Sequence, residues 1–585
     1  MSSPTLLAPG VRGLSTRSWL GPAAGLILAA AVCGMAVPAG ADNSPPRLYV
    51  IVTVDQMRND YLDRYGHMWT KGLRRLLDGG ARFTQSAYPY MNTVTCAGHA
   101  TIGTGTFPAT HGMVLNQWFD RAEQHVVQCT DDATAPTVHV NGDAATAATG
   151  NSGRRLLVPT FADELRAQSA IAPRIVSLSL KPRSAIGMVG HRGDVMLWWD
   201  ADHGWTTSQA LVAEVPAWLA EYARTHTPDA EYGRPWTRLL PEDSYHWDDD
   251  VDSEGSPHGW THQFPHEVTS KSGVADKEFR TKWSYTPAAD AALTGLAEAA
   301  IDHLQLGRDA QRRDVLAISY SVLDHVGHAY GPRSHEVQDV LARLDATIGD
   351  LLDHLDRTVG RQNYVLAFTG DHGVSPIPEQ MAALGVDAGR ILTQQVRERV
   401  DKALEPLFGP GPHVASFAYP DVYFVAGRYE SLLRNTEALR TTIQILESVP
   451  GVARVYRSDQ VAAGTGEGDA AARALGLSFH PARRGDLVLA PRAYWITTGS
   501  VATHGSLFDY DARVPLVFFG AGVKAARYGM AASPADIAPT FAHLAGITLP
   551  RPDGHVRLEA FDAGAPAATS PRGPGQQTNS GAQTR

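Results

Sequence analysis

The chain has 585 residues and a formal net charge of −10, and 43% of its residues are hydrophobic while 19% are charged. This balance is typical of a globular protein with a substantial core, and the length suffices for several domains or for one large domain with insertions. The acidic charge excludes binding to nucleic acid or to an anionic membrane through bulk electrostatics. A phosphate site would therefore need local cations or metal ions.

The N-terminus has the three-part pattern of a secretory signal. Arg12 and Arg17 precede an apolar run over residues 19–37, and small residues follow at 39–41. This pattern predicts a cleaved signal peptide over residues 1–41, and hence a periplasmic or secreted protein without membrane attachment after cleavage. An uncleaved anchor is the alternative, but glycine and proline interrupt the run, which is barely long enough to span a bilayer.

Short apolar runs alternate with helical periodicity along the rest of the chain. The runs predict five buried parallel strands, at residues 48–54, 174–180, 315–322, 364–369 and 514–519, and the helices are expected at 72–77, 288–304, 336–358 and 534–545. This alternation predicts an α/β fold with a mostly parallel central sheet and helices on both faces. Ligands of such sheets bind at the carboxyl ends of the strands, where four of the five runs meet a charged or metal-binding residue.

The catalytic domain is expected to cover residues 42–562, with two insertions. Residues 198–285 are rich in Trp, His, Asp and Pro and predict a loop-rich cap. Residues 414–462 have a strand–helix–strand pattern, which predicts a small α+β subdomain. Residues 563–585 contain few apolar side chains and are expected to form a disordered tail.

Six side chains have the chemistry of metal ligands. They are three aspartates and three histidines: Asp55, Asp324, Asp371, His328, His372 and His504. Mixed carboxylate and imidazole ligands suit zinc better than magnesium or calcium, and six are the right number for two zinc ions. Taken singly, Asp55 could be a helix cap, Asp324 and His328 a surface pair, and His504 a loop histidine. Their joint occurrence favours the metal sites.

A hydroxyl nucleophile is a candidate at Thr95. The segment over residues 92–100 is small and polar and opens a predicted helix, whose N-terminus favours an anionic phosphoryl group. The alternative is that Thr95 only caps the helix. After signal cleavage Cys96 and Cys129 are the remaining cysteines, and a disulfide and two buried thiols both stay open.

These residues and their contexts resemble the alkaline phosphatase superfamily, in its nucleotide pyrophosphatase/phosphodiesterase-related branch. The resemblance rests on Asp55, the segments 92–100 and 111–118, Asp324 with His328, and the Asp371-His372-Gly and His504-Gly pairs. The resemblance covers roughly residues 47–560. Within the branch, the chain is most similar to the phosphate-irrepressible alkaline phosphatase type of the bacterial periplasm. The Cys-x-Pro-x-Arg motif of sulfatases is absent after Cys96.

The resemblance implies specific roles. It places Asp324, His328 and His504 on one zinc, and Asp55, Asp371, His372 and the Thr95 hydroxyl on the other. Asn116 would donate to a phosphoryl oxygen. Lys181 and Arg183 would neutralise the extra charged oxygen that a phosphate monoester has and a diester lacks; a solvated loop pair is the alternative.

The predicted function follows from this set. The protein is expected to hydrolyse small phosphate monoesters through a phosphothreonine at a two-zinc site, as a monomer that binds no nucleic acid. A phosphodiesterase or nucleotide pyrophosphatase on the same fold is the alternative.

Overall fold

The computed structural model of the protein describes residues 45–142, 150–464, 469–497 and 499–562. The predicted signal peptide at 1–41 and the predicted tail at 563–585 lie outside the described residues. Among the described residues, no helix combines the length and the apolarity needed to cross a membrane.

The strands and helices of the described residues are numbered in chain order. The strands are β1 (Leu48–Val54), β2 (Ala81–Ser86), β3 (Gln117–Asp120), β4 (His125–Gln128), β5 (Asp131–Asp132), β6 (Thr137–His139), β7 (Gly150–Asn151), β8 (Ile175–Ser179), β9 (Val195–Asp200), β10 (Gly204–Ser208), β11 (Asp314–Tyr320), β12 (Tyr364–Gly370), β13 (Gly389–Ile391), β14 (Val414–Ala418), β15 (Asp421–Phe424), β16 (Val452–Arg457), β17 (Leu487–Pro491), β18 (Trp495–Thr497), β19 (Leu516–Gly520) and β20 (Ala526–Ala532). The helices are α1 (Tyr61–Arg64), α2 (Gly72–Gly79), α3 (Thr95–Thr104), α4 (Pro108–His111), α5 (Phe161–Gln168), α6 (Pro182–Val189), α7 (Ala217–Thr225), α8 (Lys277–Trp283), α9 (Pro287–Leu304), α10 (Val322–Tyr330), α11 (His335–Thr358), α12 (Pro378–Ala383), α13 (Thr393–Phe408), α14 (Arg428–Arg434), α15 (Thr436–Glu447), α16 (Ser458–Ala462), α17 (Ala470–Leu477), α18 (Asp509–Ala512) and α19 (Ile537–Ala545).

The central sheet has ten strands in the order β20-β2-β19-β12-β1-β11-β8-β9-β10-β6. Its middle block, from β12 to β9, is parallel. Antiparallel pairs flank this block on both sides, at β19 and at β10. The α/β fold that the sequence predicts is confirmed, and the sheet is mixed rather than uniformly parallel.

Strand β1 explains why helices cover both faces of the sheet. Its seven residues are all buried. Val50 and Val52 pack into one core with side chains of α2, α9 and α11. Tyr49 and Ile51 pack into a second core with side chains of α3, α5, α6 and α19. Because successive strand residues point to opposite faces, a continuous apolar run is what a strand covered on both sides requires.

One predicted parallel strand runs the other way. The run at residues 514–519 forms β19, which pairs with β12 in the antiparallel direction. The chain reaches β19 from α18, directly after the loop that carries His504, and so it enters the sheet at the carboxyl edge. A strand that starts at this edge without a crossover must run back against its neighbour.

Segment 198–285 starts inside the central sheet. Its first residues belong to β9, and β10 extends the same sheet. The rest contains α7, α8 and several short helical turns, and its aromatic side chains, including Trp236, Trp260 and Trp283, join the core beside α9 and α11. The segment is therefore anchored by buried aromatic residues.

Segment 414–462 lies within a larger unit. Its strands β14, β15 and β16 form an antiparallel sheet together with β17, which comes later in the chain. Helices α13, α14 and α15 cover this sheet around a core of their own. The unit thus extends in both directions beyond the predicted boundaries.

A buried ion pair joins this unit to the loop before α3. Arg484 donates to both carboxylate oxygens of Asp421, at 2.7 and 2.6 Å, and to Oδ1 of Asn92 at 2.7 Å. Both side chains of the ion pair are 0% exposed. Removing one partner of such a pair leaves a buried charge without compensation.

We therefore expect Arg484→Ala to lower the free energy of unfolding by about 3–5 kcal/mol. Urea unfolding followed by tryptophan fluorescence would measure this loss. Arg492→Ala is the matched control, because Arg492 and Asp387 are 3.5 Å apart and more than half exposed, and such pairs contribute at most about 1 kcal/mol. An equal loss of unfolding free energy in both variants would show that the buried pair stabilises the protein no more than the exposed pair does.

Candidate active site

Four side chains meet at one edge of the central sheet. Asp55 directly follows β1, Asp371 directly follows β12, Lys181 follows β8, and Asp324 lies in the first turn of α10 after β11. These four strands are neighbours in the parallel block. Their carboxyl ends therefore share one edge, as the sequence predicts, and their side chains converge there.

The carboxylates and histidines form two groups with the spacing of metal ligands. One group is Asp55, Asp371 and His372, and the other is Asp324, His372 and His504. His328 lies beside the second group, with its Nε2 3.2 Å from Oδ1 of Asp324. All six predicted ligands are thus brought together. His372 belongs to both groups, and its ring stacks on that of His504, with centroids 3.4 Å apart.

All three histidines present the same nitrogen to the site. Nδ1 of His328 lies 2.8 Å from the carbonyl oxygen of Ala502, Nδ1 of His372 2.9 Å from that of Gly373, and Nδ1 of His504 2.9 Å from that of Thr93. A carbonyl can only accept, so each Nδ1 carries a proton, and in the neutral ring Nε2 keeps its lone pair. This orientation by a second hydrogen bond is typical of histidine metal ligands.

The electrostatics of the site fit a bound cation. Burial lowers the pKa of His372 to about 3 and, with the neighbouring histidines, holds that of His504 well below its usual value, so both rings are neutral. Burial and the charge of Asp55 raise the pKa of Asp371 to about 7. Oδ1 of Asp55 and Oδ2 of Asp371 are buried without hydrogen-bond partners among the described residues. Neutral imidazoles and unpaired carboxylate oxygens are the donors that a divalent cation accepts.

Lys181 lies between the two groups. Its Nζ donates to Oδ2 of Asp55 at 2.6 Å and to Oδ2 of Asp324 at 2.5 Å. Burial opposes the charged ammonium group, but the two carboxylates outweigh burial and raise the pKa of Lys181. Arg183 lies two residues on, at the start of α6, and its buried Nε has no hydrogen-bond partner among the described residues. Lys181 therefore contacts the site directly, and Arg183 lies close enough for its charge to act against the raised pKa of Lys181.

Thr95 is the first residue of α3 and does not cap it. The cap is Val94, and no side chain bonds to the first turn from that position. Oγ1 of Thr95 lies 3.4 Å from Nε2 of His372. Gly98 lets α3 pack closely against Asp371, because a Cβ on Gly98 would lie 2.2 Å from the main-chain oxygen of Asp371. The hydroxyl thus lies beside the ligand that both groups share, at the positive end of a helix.

Asn116 is held next to this helix end. Its Oδ1 accepts from the main-chain N–H of Cys96 at 2.9 Å, and its main-chain oxygen accepts from Cys129 at 2.9 Å. Cys96 and Cys129 form a disulfide with Cα atoms 6.7 Å apart, which decides the alternative that the sequence leaves open. With Oδ1 engaged, the Nδ2 amide group of Asn116 is left to donate towards Thr95.

Two contacting residues were not predicted. Gln56 donates to Asp324 and to Asp371. His99, one turn after Thr95, is fully buried, with its Nδ1 3.3 Å from Oδ2 of Asp371 and its Nε2 2.8 Å from the hydroxyl of Ser319. The adjacency of Gln56 to Asp55 was the available signal for the first. Nothing in the sequence places His99 against Asp371.

The candidate site residues differ in exposure. Asn116, Arg183 and His328 are partly exposed, the side chain of His504 is 5% exposed, and Asp55, Asp371 and His372 are 0% exposed. A small molecule can therefore reach the exposed rim of the site while the carboxylates stay in a buried, low-dielectric environment, in which electrostatic interactions are strong.

Comparisons with known proteins agree with this geometry. A protein of Myroides odoratus named calcium-transporting ATPase is 31% identical over 519 residues, which are 86% of this chain and 92% of that protein. The alkaline phosphatase PafA of Elizabethkingia meningoseptica is 29% identical over the same coverage of both chains. The crystal structure of wild-type PafA superposes with a TM-score of 0.80 at 28% identity, covering 88% of this chain and 99% of that one.

A second solved structure is a PafA variant in which a threonine, an asparagine, a lysine and an arginine are replaced, with a TM-score of 0.81 at 28% identity. The family model of type I phosphodiesterases and nucleotide pyrophosphatases matches residues 49–506. The resemblance seen in the sequence is confirmed. The protein belongs to the type I phosphodiesterase/nucleotide pyrophosphatase family of the alkaline phosphatase superfamily and is a phosphoric ester hydrolase.

Proposed function

We propose that this protein is an exported alkaline phosphatase that hydrolyses phosphate monoesters through a phosphothreonine on Thr95, at a site that holds two zinc ions. The observation that carries the proposal is the position of Thr95. Its hydroxyl lies at the N-terminus of α3, 3.4 Å from the histidine that contacts both ligand groups. A hydroxyl is a weak nucleophile at neutral pH unless a base or a bound metal ion activates it, and a zinc ion held by this ligand group would do so.

Six residues would hold the two ions. One set would be Asp324, His328 and His504, and the other Asp55, Asp371 and His372, with the Thr95 hydroxyl as a fourth ligand of the second set. Bound zinc supplies positive charge for alkoxide oxygens and lowers the pKa of a bound water to roughly 7. The free Nε2 atoms and the unpaired carboxylate oxygens support this donor set.

The reaction needs two displacements at phosphorus. In the first, Oγ1 of Thr95 gives up its proton to solvent as it bonds to phosphorus, and the bond from phosphorus to the alcohol oxygen breaks while that oxygen takes up a proton. In the second, a water oxygen gives up one proton as it bonds to phosphorus, and Oγ1 of Thr95 takes up a proton as its bond to phosphorus breaks. Asn116 donates to an equatorial oxygen through Nδ2, and the first N–H groups of α3 add their dipole.

Lys181 and Arg183 would select the monoester. The ammonium group of Lys181 has three protons, of which Asp55 and Asp324 take two, so one remains for a phosphoryl oxygen or a water beside it. The unpaired Nε of Arg183 is available in the same way. The replaced residues of the PafA variant add support, since the threonine–asparagine and lysine–arginine spacings there equal those of Thr95–Asn116 and Lys181–Arg183.

A phosphodiesterase or nucleotide pyrophosphatase activity is the second candidate, because the matching family model has that description. A comparison of kcat/KM for an aryl phosphate monoester and the matching aryl alkyl diester would separate the two. A clear preference for the monoester supports the proposal. A preference for the diester would favour the second candidate and would contradict the roles of Lys181 and Arg183.

We expect the active protein to contain close to two equivalents of zinc per chain, because the donors form two sets. Elemental analysis of the preparation that is assayed would measure this content. Removal of metal by a chelator should abolish turnover, and zinc should restore it better than magnesium or calcium, which prefer oxygen ligands. An active preparation containing only calcium or magnesium would contradict the assignment.

Export to the periplasm or beyond the cell is part of the proposal. The Cys96–Cys129 disulfide supports it, because disulfides persist in oxidising compartments. N-terminal sequencing of the mature protein would test it, with cleavage expected after residue 41. We further propose that the protein acts as a monomer, which the mass of the particle in solution would test.

A further inference from the structure

Gln56, like Lys181, contacts both ligand groups without belonging to either. Gln56 directly follows Asp55, and its side chain is 1% exposed. Its Nε2 donates to Oδ1 of Asp324 at 2.7 Å, and its main-chain N–H donates to Oδ1 of Asp371 at 3.0 Å. Gln56 thus connects a carboxylate of one group to a carboxylate of the other through two different parts of the same residue.

The main chain of Gln56 adopts a conformation that favours glycine. Its φ is 70°, in the left-handed region that residues with a Cβ seldom occupy. This turn directs the N–H towards Asp371 while the side chain reaches Asp324. Unfavourable conformations of this kind persist where the surrounding structure compensates for them, and they concentrate at functional sites.

Helix α10 is adapted to this side chain. Gly327 lies between Asp324 and His328 on that helix, and a Cβ on Gly327 would lie 1.7 Å from Oε1 of Gln56. Any other residue at this position would push the helix and the glutamine apart. The glutamine amide thus packs directly against the helix that carries Asp324 and His328.

The chemistry of an amide suits this position. Oδ2 of Asp324 already accepts from the Lys181 ammonium group, whereas Oδ1 faces the Nε2 atoms of His328 and His504 at 3.2 and 3.7 Å. A neutral N–H donor can fix the direction of Oδ1 without adding a positive charge that would repel a cation. A carboxylate oxygen has lone pairs for both a hydrogen bond and a metal ion.

We propose that Gln56 is a positioning residue that fixes Asp324 through its side-chain amide, so that metal affinity at the Asp324 group depends on the glutamine side chain. At the Asp371 group, residue 56 contributes only its main-chain N–H, so that group does not need the glutamine side chain. This inference rests on the proposed metal sites. It adds the prediction that a single substitution weakens zinc binding at one site and leaves zinc binding at the other site nearly unchanged.

Two variants remove the amide in different ways. Gln56→Met keeps the length of the side chain and the unfavourable φ, whereas Gln56→Gly removes the side chain and relieves the φ. Both retain the main-chain N–H to Asp371. Gln305→Gly is the control, because Gln305 also has a positive φ, of 50°, at the end of α9. It lies outside both ligand groups.

The measurement is stepwise zinc binding by the metal-free protein in competition with a chromophoric chelator, which yields two dissociation constants. In both variants we expect one site to weaken by about 10–100-fold, as when an outer hydrogen bond to a metal ligand is lost, and the other to change less than about threefold. The control should bind zinc as the unmodified protein does.

Each other outcome has a distinct meaning. Equal weakening of both sites, or weakening in Gln56→Gly alone, would show that the residue acts through packing and would overturn the inference. Unchanged affinities would overturn it as well. If the unmodified protein bound no zinc at two sites, the proposed function would fail first, and its failure would be visible before any variant is compared.

Discussion

Replacing Thr95 by alanine is expected to abolish phosphate ester hydrolysis. The Oγ1 atom that lies 3.4 Å from His372 would be missing, so no bond from protein to phosphorus can form. Removal of the nucleophile from a covalent hydrolase lowers kcat roughly 10⁴-fold or more. The phosphoprotein that can be trapped by an acid quench should disappear, whereas the zinc content should largely remain, because three protein ligands stay at each site.

Two variants control for this result. Thr95→Ser retains a hydroxyl and should still form a phosphoprotein. Thr104→Val removes a buried hydroxyl at the other end of α3, where it bonds to the main-chain oxygen of Ala100, and it should retain phosphoprotein formation. Near-normal turnover of Thr95→Ala would contradict the covalent mechanism and leave only direct attack by water.

Replacing Lys181 and Arg183 together is expected to reduce monoesterase activity far more than diesterase activity. Charge-assisted donors in a buried site contribute roughly 10²–10³-fold each to the rate. In the proposed binding mode, the oxygen that faces these donors carries a negative charge in a monoester and an alkyl group in a diester. For an aryl alkyl diester we therefore expect less than about a tenfold change, measured as kcat/KM on the same preparation.

The contacts of Lys181 require a second arm in this experiment. Its ammonium group also bonds to Asp55 and Asp324, so the double variant can lose metal as well as substrate contacts. Arg183→Ala leaves those carboxylates untouched and should show the same selectivity with full zinc content. Arg192→Ala, an exposed arginine nearby, should change neither activity. Equal losses on both ester classes would mean that the pair is structural and would favour a phosphodiesterase.

Much of the fold follows from local sequence patterns. The apolar run at 48–54 is a buried strand with the predicted bounds, and α9 and α11 each begin one residue before the predicted start and end where predicted. Such features depend on side-chain periodicity within about ten residues, and the chain itself displays it.

Other features depend on segments that are distant in the chain. The direction of β19, the extension of the small subdomain to β17 and the pairing of Cys96 with Cys129 are set by how whole elements pack. The apolar run at 514–519 has the same composition whichever way the strand runs. The sequence therefore predicts that such elements exist but cannot orient them.

The candidate site shows the same division. The types of the ligands and their places at strand ends are determined by the sequence, because polar residues that follow buried apolar runs must collect at one edge of a parallel sheet. The tertiary structure alone decides that His372 contacts both groups, that three carbonyl groups set the histidine tautomers, and that Gln56 links Asp324 to Asp371. Apart from the contact of His372 with Gly373, these contacts join segments that are tens to hundreds of residues apart, and their distances arise only when both faces of the sheet are packed.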